Sequence, residues 1–249
     1  MRKSLLPILF NLSLLMLTTF IASAAENMMA PEKGVVKGRV TDAQGKAISN
    51  VKVVIENTVF FASYFYATTD ANGYYRTTIK TGSWKASVRI IQPYLGIPYQ
   101  FDLHPDNPDA FAGTSGTIRN FTWKLTGAKP DGVGYYGSDV AVYTQPGSAL
   151  LLGEVEITLT PEGKLVDGNA GKAITKSLTD IGGGEDGISD VPIGKYFITA
   201  KNKKTGSPLQ VRLRNKGAFA DKLTATFTSG FTGVTSYKIV VQVQDKDEQ

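Results

Sequence analysis

The 249-residue sequence contains no cysteine and a single histidine, His104. Without cysteine the chain can form no disulfide, no thiolate metal site and no cysteine nucleophile. One histidine excludes a His–His metal pair within the chain, although a lone histidine can still serve in a catalytic triad. Composition therefore removes thiol chemistry and paired-histidine metal chemistry, and leaves His104 as the one place for histidine-based catalysis.

Long apolar runs are also scarce, and the N-terminus carries the one that stands out. Arg2 and Lys3 precede an apolar stretch, Leu5 to Ile21, and Ala22–Ala24 gives an A-x-A cleavage pattern. The stretch is shorter than the roughly 20 residues that a membrane-spanning helix needs, and no basic stop follows it. We therefore predict a signal peptide at residues 1–24, rather than a membrane anchor. A secreted or periplasmic location with no membrane span after cleavage follows from this prediction.

The excess of positive charge is small. There are 27 basic and 22 acidic side chains, and the predicted cleavage removes two of the basic ones. A net charge of this size does not indicate a nucleic-acid partner. The excess is uneven, since residues 33–126 hold 11 basic and 6 acidic side chains, whereas residues 127–249 hold 14 of each.

The pattern after residue 30 predicts an all-β chain. Valine, threonine and aromatic residues recur in runs of five to eight, turn residues separate the runs, and no 3.6-residue period is sustained. We predict two tandem antiparallel β-sandwiches, at 34–126 and 135–244, joined by a Gly-rich linker at 127–137. Strands are expected at 34–40, 51–56, 74–80, 84–90 and 117–125 in the first sandwich, with a Pro-rich break at 92–108. Those of the second are expected at 139–144, 153–160, 195–201, 208–214, 223–229 and 235–244.

Two turns in the first sandwich have a specific chemistry. Asp42-Ala43-Gln44-Gly45 and Asp70-Ala71-Asn72-Gly73 each place an aspartate three residues before a glycine. The aspartate can accept backbone N–H groups of its own turn, and the glycine accepts positive φ. Both segments are therefore predicted to be tight turns between strands, while Trp84 and Trp123 are expected to pack in the core.

These segments resemble the carboxypeptidase regulatory-like domain, a transthyretin-like Greek-key sandwich. The resemblance is carried by Gly38 to Ile48, Val51 and Val53, Thr69 to Tyr75, and Gly82-Ser83-Trp84. It implies a non-catalytic accessory domain, because the motif residues make turns and fill the core. The catalytic domain of metallocarboxypeptidases is absent, and Asn107 prevents a His-x-x-Glu pair at His104. Starch-binding-like sandwiches have a similar fold, which suggests carbohydrate binding by analogy.

Exposed aromatic side chains are the first candidate site. Sugars bind on aromatic faces flanked by hydrogen-bonding groups, so Tyr64, Tyr66, Tyr94 and Tyr99 are candidate ligand-binding residues. The alternative is that these side chains pack in the core or against loops.

Two acidic segments are candidate cation sites. Asp102, Asp106, Asn107 and Asp109 offer oxygen ligands suited to Ca²⁺, and the alternative is a turn in which they cap backbone groups. The segment from Asp180 to Asp190 departs from the EF-hand spacing and is expected to be a flexible, solvated loop. No other cofactor is expected.

A basic stretch gives a third candidate. Lys201, Arg212 and Arg214 would share a face if strands 195–201 and 208–214 pair, and could then bind an anionic glycan, a lipid headgroup or nucleic acid. The alternative is a charged hairpin edge that is protected from aggregation.

The sequence therefore predicts a non-catalytic secreted or periplasmic binding module with a glycan as its leading ligand. The first alternative is a structural or adhesion scaffold that contacts envelope proteins. The second is a hydrolase that uses His104.

Overall fold

The computed structural model of the chain describes residues 30–229 and 236–246. The predicted signal peptide, residues 1–24, lies outside the described residues. Within the described ranges, no helix has both the length and the apolar character needed to cross a membrane.

The described chain is nearly all β, as predicted. One turn of 3-10 helix, Leu152–Glu154, interrupts the strands. The first nine strands are β1 Val35–Asp42, β2 Lys52–Asn57, β3 Tyr64–Thr68, β4 Tyr74–Thr78, β5 Ser83–Tyr94, β6 Ile97–Leu103, β7 Phe111–Ala112, β8 Thr117–Ile118 and β9 Phe121–Trp123. The remaining strands are β10 Ser138–Thr144, β11 Val155–Pro161, β12 Ile174–Ser177, β13 Thr179–Asp180, β14 Asp186–Val191, β15 Lys195–Asn202, β16 Pro208–Leu213, β17 Lys216–Ala220, β18 Leu223–Thr226, β19 Thr228–Ser229 and β20 Tyr237–Gln244.

Two compact units make up the fold. Unit 1 runs to Arg89 and also includes Leu103–Thr122, whereas unit 2 comprises Ile90–Asp102 and the chain from Trp123 onward. The division therefore differs from the predicted boundaries, because residues 90–102 belong to the unit formed mainly by later sequence.

Unit 1 is built from two small sheets. One has the order β4-β1-β8, with β9 also on β1, and the other contains β3-β2-β5, with β7 on β5. The alternating residues Val51, Val53 and Ile55 are buried, as are Trp84 and Phe121. Burial of Trp84 confirms that it packs in the core, and its indole N–H donates to the Lys80 carbonyl at 3.0 Å.

Both predicted turns of unit 1 are present. The Asp42 carboxylate accepts the backbone N–H groups of Gln44 and Lys46, at 2.9 and 2.8 Å. Asp70 repeats the arrangement, accepting Asn72 N–H and Tyr74 N–H at 2.8 and 2.9 Å. These bonds fix the connections that lead into the strands, as the turn chemistry predicts.

Gly38 allows two backbones to approach closely. A Cβ at this position would lie 1.9 Å from the Arg119 carbonyl oxygen and 3.1 Å from the Tyr75 ring. That carbonyl accepts the Tyr75 hydroxyl at 2.6 Å, and Arg119 N–H donates to the Lys37 carbonyl at 2.9 Å. Strand β8 runs parallel to β1. Gly38 is therefore required because the segment that follows β8 packs directly against its Cα.

Unit 2 is one long sheet that encloses a single core. Its order is β12-β11-β15-β16-β20-β10-β14-β13, with β17 on β16, β18 on β15 and β19 on β20. All strand pairs in it are antiparallel except β10 and β20, which are parallel from Asp139↔Lys238 to Thr144↔Val243. The largest fully buried side chains of this core are Tyr99, Tyr196 and Phe227.

The predicted Pro-rich break at 92–108 is wrong in its first part. Strands β5 and β6 form a hairpin that turns at Leu95 and Gly96, with φ of +50° and +80°. Two positive φ values in succession are typical of a two-residue hairpin turn. Leu95 is an unusual residue for this conformation, which explains why the sequence did not signal the turn.

Two further expectations for unit 2 are corrected. The acidic segment contains β13 and β14, which pair around a turn at Gly182–Gly184, and so it is not the flexible loop that was predicted. The predicted linker is also held in place. The Asp190 carboxylate accepts Gly127 N–H at 2.9 Å and Gly137 N–H at 3.1 Å.

Candidate functional site

Strand β3 presents two tyrosines on the surface of unit 1. Tyr64 and Tyr66 are 38% and 50% exposed, and between them Phe65 points inward against Trp84, with ring centroids 5.1 Å apart. Alternation along a strand places residues i and i+2 on one face. The Tyr64 and Tyr66 rings are accordingly neighbours, with centroids 6.1 Å apart and planes 23° from parallel.

Polar side chains surround this pair on the same face. Glu56 lies opposite Tyr64 and Lys52 lies opposite Thr68 in the β2–β3 register, and Lys85 lies opposite Glu56 on β5. All of them are exposed, as is Ser87. We call Tyr64, Tyr66, Lys52, Glu56, Lys85 and Ser87 the tyrosine face.

The Lys52 ammonium covers part of the pair. Its Nζ lies 3.9 Å from the centroid of the Tyr66 ring, which is a cation–π contact. Since Lys52 is opposite Thr68, it approaches Tyr66 from the side away from Tyr64. Tyr66 is therefore flanked by a ring on one side and a cation on the other, and the outer side of Tyr64 is the aromatic surface left for a ligand.

The loop before β3 carries an exposed apolar cluster. Val59, Phe60 and Phe61 are 72%, 69% and 99% exposed, and we call these three residues the apolar tip. In the sequence they run directly into the aromatic residues of β3, but strand structure begins only at Tyr64. Sequence alone does not separate the tip from the strand because both are aromatic.

The other two predicted tyrosines make their contacts within unit 2. Tyr99 is fully buried, and its hydroxyl donates to the Phe227 carbonyl at 2.6 Å. Tyr94 is half-buried, donating to the Lys164 carbonyl at 2.8 Å and accepting Lys195 N–H at 3.0 Å. The prediction that Tyr99 binds a ligand is wrong, because its ring offers no surface. Tyr94 uses its hydroxyl to hold unit 2 together.

The predicted calcium ligands make turn contacts. Asp106 accepts the backbone N–H groups of Asn107 and Asn120, at 2.9 and 3.1 Å, and the Asn120 side-chain amide at 2.9 Å. Asn107 in turn accepts Asp109 N–H at 2.8 Å. Asp102 belongs to unit 2, whereas the other three belong to unit 1. Within residues 30–229 and 236–246, no three His, Cys, Asp or Glu side chains are grouped closely enough to hold a metal ion.

The predicted basic residues are each engaged. Lys201 forms an ion pair with Glu156, with Nζ and Oε1 2.8 Å apart. Arg212 donates to the Gln242 and Gln145 side chains at 3.0 and 2.9 Å. The Arg214 guanidinium lies 3.6 Å from the centroid of the Tyr143 ring. Strands β15 and β16 pair as expected, and their register gives Lys201 and Arg212 the same face.

Tyr143 on β10 and Lys238 on β20 form a hydrogen-bonded cluster with Glu185, which the sequence did not predict. Tyr143 donates to Glu185 Oε1 at 2.6 Å, and Lys238 donates to Glu185 Oε2. The bond from Lys238 lowers the pKa of Glu185 below its ordinary value, and the same bond raises the pKa of Lys238. The bond to Glu185 likewise raises the pKa of Tyr143. These groups satisfy one another, which is the arrangement of a structural cluster rather than of an open site.

Several solved structures resemble the chain at low sequence identity. The Bacillus anthracis TIE protein is 14% identical with a TM-score of 0.35, and the match covers 86% of this chain and 34% of that one. A leucine-rich repeat protein from Bacteroides thetaiotaomicron is 10% identical with a TM-score of 0.26, over 85% of this chain and 26% of the other. For the C-terminal fragment of pilus adhesin SpaC from Lactobacillus rhamnosus the identity is 12%, the TM-score 0.25, and the coverage 86% and 98%. The chain thus spans about a third or less of the first two proteins.

Sequence comparison identifies one segment. No curated protein matches the chain. The family model of the carboxypeptidase regulatory-like domain matches residues 35–93. The matched segment contains the β1–β5 strands, the two aspartate turns and the close-packed Gly38 described above. Residues 35–93 are therefore a carboxypeptidase regulatory-like domain.

Proposed function

We propose that the chain is a non-catalytic binding module of the cell exterior or periplasm and that the tyrosine face of unit 1 binds glycans. The observation that carries this proposal is the exposed, near-parallel pair of Tyr64 and Tyr66, with charged side chains on the neighbouring strands of the same face. An aromatic surface of this kind is apolar on its ring face and is bordered by hydrogen-bonding groups.

The spacing of the two rings defines where a sugar can lie. Carbon atoms in contact are about 3.5–4.0 Å apart, so a sugar between two rings needs a separation of roughly 7–8 Å. The Tyr64 and Tyr66 centroids are 6.1 Å apart, which is too close. A sugar ring must therefore lie on the outer side of Tyr64, with Tyr66 supporting Tyr64 from behind.

The neighbouring polar groups provide the hydrogen bonds that sugar hydroxyls require. Glu56, opposite Tyr64, is an acceptor, and Lys85, opposite Glu56, is a donor. Both are exposed, so neither loses its hydration before a ligand arrives. A neutral sugar can use this acceptor and donor together, which favours glycan over a purely apolar ligand.

A glycan array on the chain purified without residues 1–24, followed by titration calorimetry on any hit, tests the proposal. Tyr64→Ala should weaken binding roughly tenfold or more, because a ring contact contributes about 1 kcal/mol beyond its buried area. Tyr66→Ala should have a smaller effect, since it removes only the support. Tyr135→Ala is the matched control, because Tyr135 is also about half exposed but belongs to unit 2.

Binding that survives both tyrosine changes would place the ligand elsewhere and refute the assignment of the face. No binding to any glycan would reject a sugar ligand and favour the scaffold alternative. Running the array with Ca²⁺ and with chelator also tests the calcium proposal, because loss of binding with chelator is the expected result if Asp106 and its neighbours hold the ion. The proposed export is tested by N-terminal sequencing of the mature protein, which should begin at Ala25.

A further inference from the structure

The apolar tip exposes more apolar surface than an isolated surface residue does. Val59, Phe60 and Phe61 are consecutive, and Phe61 is 99% exposed. Contiguous exposed apolar residues mark a surface that is covered in the functional state. The tyrosine face does not account for them, because they precede β3.

Hydrogen bonds hold the apolar tip in a fixed conformation. The Asn57 side-chain oxygen accepts Val59 N–H at 2.9 Å and Phe60 N–H at 2.8 Å, and Asn57 itself is buried. Thr58 anchors the loop to the start of β5, where its hydroxyl bonds Ser83 Oγ at 2.7 Å. The loop is therefore a preorganised projection, so little ordering entropy is lost when the tip is covered.

Lysines lie at the same end of unit 1. Lys80 precedes the turn into β5, and Lys85 follows Ser83 by two residues. Lys33 precedes β1 and lies near the start of β5. The neighbouring Gly34 N–H donates to the Gly113 carbonyl, and Gly113 N–H donates to the Gly82 carbonyl. All three lysines are exposed.

The carboxylates of this end do not offset the lysines fully. Glu32 forms an ion pair with Arg76, with Oε1 and Nη2 2.5 Å apart, and Glu56 lies opposite Lys85 on the neighbouring strand. The turns that contain Asp42 and Asp70 lie at the opposite end of the strands, because β3 runs away from the tip toward Asp70. The projecting end is thus both apolar and basic.

We propose that the apolar tip inserts into the surface of a lipid bilayer that carries anionic headgroups. An exposed apolar projection with lysines at the same end of the unit fits such a surface, since the phenyl rings enter the acyl boundary while lysines remain among the headgroups. Tyr64, which immediately follows the loop, is an amphipathic side chain suited to the interface between them. Apolar insertion and charge attraction are each weak alone and act together here.

Co-sedimentation of the chain, purified without residues 1–24, with vesicles of phosphatidylcholine and phosphatidylglycerol tests this proposal. The chain should bind these vesicles, with weaker binding at high salt and on pure phosphatidylcholine. Phe60→Ser with Phe61→Ser should reduce the partition coefficient roughly a hundredfold, because two buried phenyl groups are lost. Val133→Ser with Leu151→Ser is the matched control, since these exposed apolar residues belong to unit 2, and it should bind as the unchanged chain does.

A second variant separates charge from insertion. Lys80→Gln with Lys85→Gln should weaken binding to phosphatidylglycerol vesicles about tenfold or more and leave binding to pure phosphatidylcholine unchanged. Circular dichroism on each variant establishes that it is folded.

Two outcomes overturn the proposal. One is the absence of vesicle binding by the unchanged chain, and another is vesicle binding that Phe60→Ser with Phe61→Ser does not reduce. In the first case, sedimentation equilibrium shows whether the unchanged chain forms a concentration-dependent dimer that this double variant dissociates. A second copy of the chain would then be the occupant of the tip.

Discussion

Gly38→Ala is expected to be the most damaging small substitution in unit 1. The added Cβ would lie 1.9 Å from the Arg119 carbonyl oxygen, whereas real Cβ contacts are 3.0 Å or longer. The backbone of β1 and the segment after β8 must therefore separate by about 1 Å, and overpacking of this kind costs about 1–3 kcal/mol. Backbone is found on both sides of the contact, so no side-chain rotation can relieve it.

The separation also weakens two hydrogen bonds. Arg119 N–H bonds the Lys37 carbonyl and the Arg119 carbonyl accepts the Tyr75 hydroxyl, at 2.9 and 2.6 Å. Each contributes about 1 kcal/mol. Together with the overpacking, the free energy of unfolding of unit 1 should fall by roughly 3–5 kcal/mol, equivalent to about 15–30 °C in Tm for a unit of this size.

Urea denaturation followed by tryptophan fluorescence measures this change. The chain has two tryptophans, Trp84 in unit 1 and Trp123 in unit 2. In a Trp123→Phe background the signal comes from Trp84 and therefore reports unit 1. Gly45→Ala is the control, because Gly45 has φ of +81° with no atom within 4 Å of the added Cβ, so it should cost only about 1 kcal/mol of backbone strain. Equal losses for Gly38→Ala and Gly45→Ala would refute the close-packing argument.

Further substitutions test other contacts. Glu185→Gln should destabilise unit 2 by about 1 kcal/mol at neutral pH and flatten the acid limb of its stability curve. The pKa of Glu185 is lowered in the folded state. Its contribution to the free energy of unfolding is therefore fully present above the ordinary pKa of 4.5 and is lost as pH falls through the folded-state pKa. Urea titrations at several pH values measure this loss. Tyr99→Phe should cost about 1–2 kcal/mol by thermal denaturation, because it removes the donor to the buried Phe227 carbonyl. Asp70→Ala should cost about 1 kcal/mol in the same assay, whereas Asp70→Asn, which keeps an acceptor, should cost less.

Local chemistry made the first half of unit 1 predictable. The aspartate turns at Asp42 and Asp70 depend on bonds within five residues, and sequence spacing therefore suffices to identify them. The strand predicted at 51–56 corresponds to β2, and the alternate residues Val51, Val53 and Ile55 are buried. Features that depend on distant residues were missed. The parallel pairing of β10 with β20 joins segments about a hundred residues apart, and no short pattern encodes it.

The candidate site shows the same limit. Alternation on β3 predicts that Tyr64 and Tyr66 share a face, but burial of Tyr99 depends on Phe227 and Tyr237, far along the chain. A run of aromatic residues has the same composition whether it is a strand or an exposed loop. The structure separates the apolar tip from β3, because the tip residues are exposed and Asn57 caps the loop that holds them.

The assignment of residues 90–102 to unit 2 has a consequence for synthesis of the chain. Unit 1 lacks its last segment until residue 122 has been made, yet the β5–β6 hairpin emerges before that point. Tyr99 cannot reach its folded environment until Tyr237 has been synthesised. In the folded protein the two ring centroids are 4.8 Å apart, and the Tyr237 hydroxyl accepts Gln100 N–H. Well over a hundred residues must be translated before this aromatic hairpin can be buried. Neither unit can be released by a single proteolytic cut, and a chain truncated near residue 126 would carry the hairpin without its core.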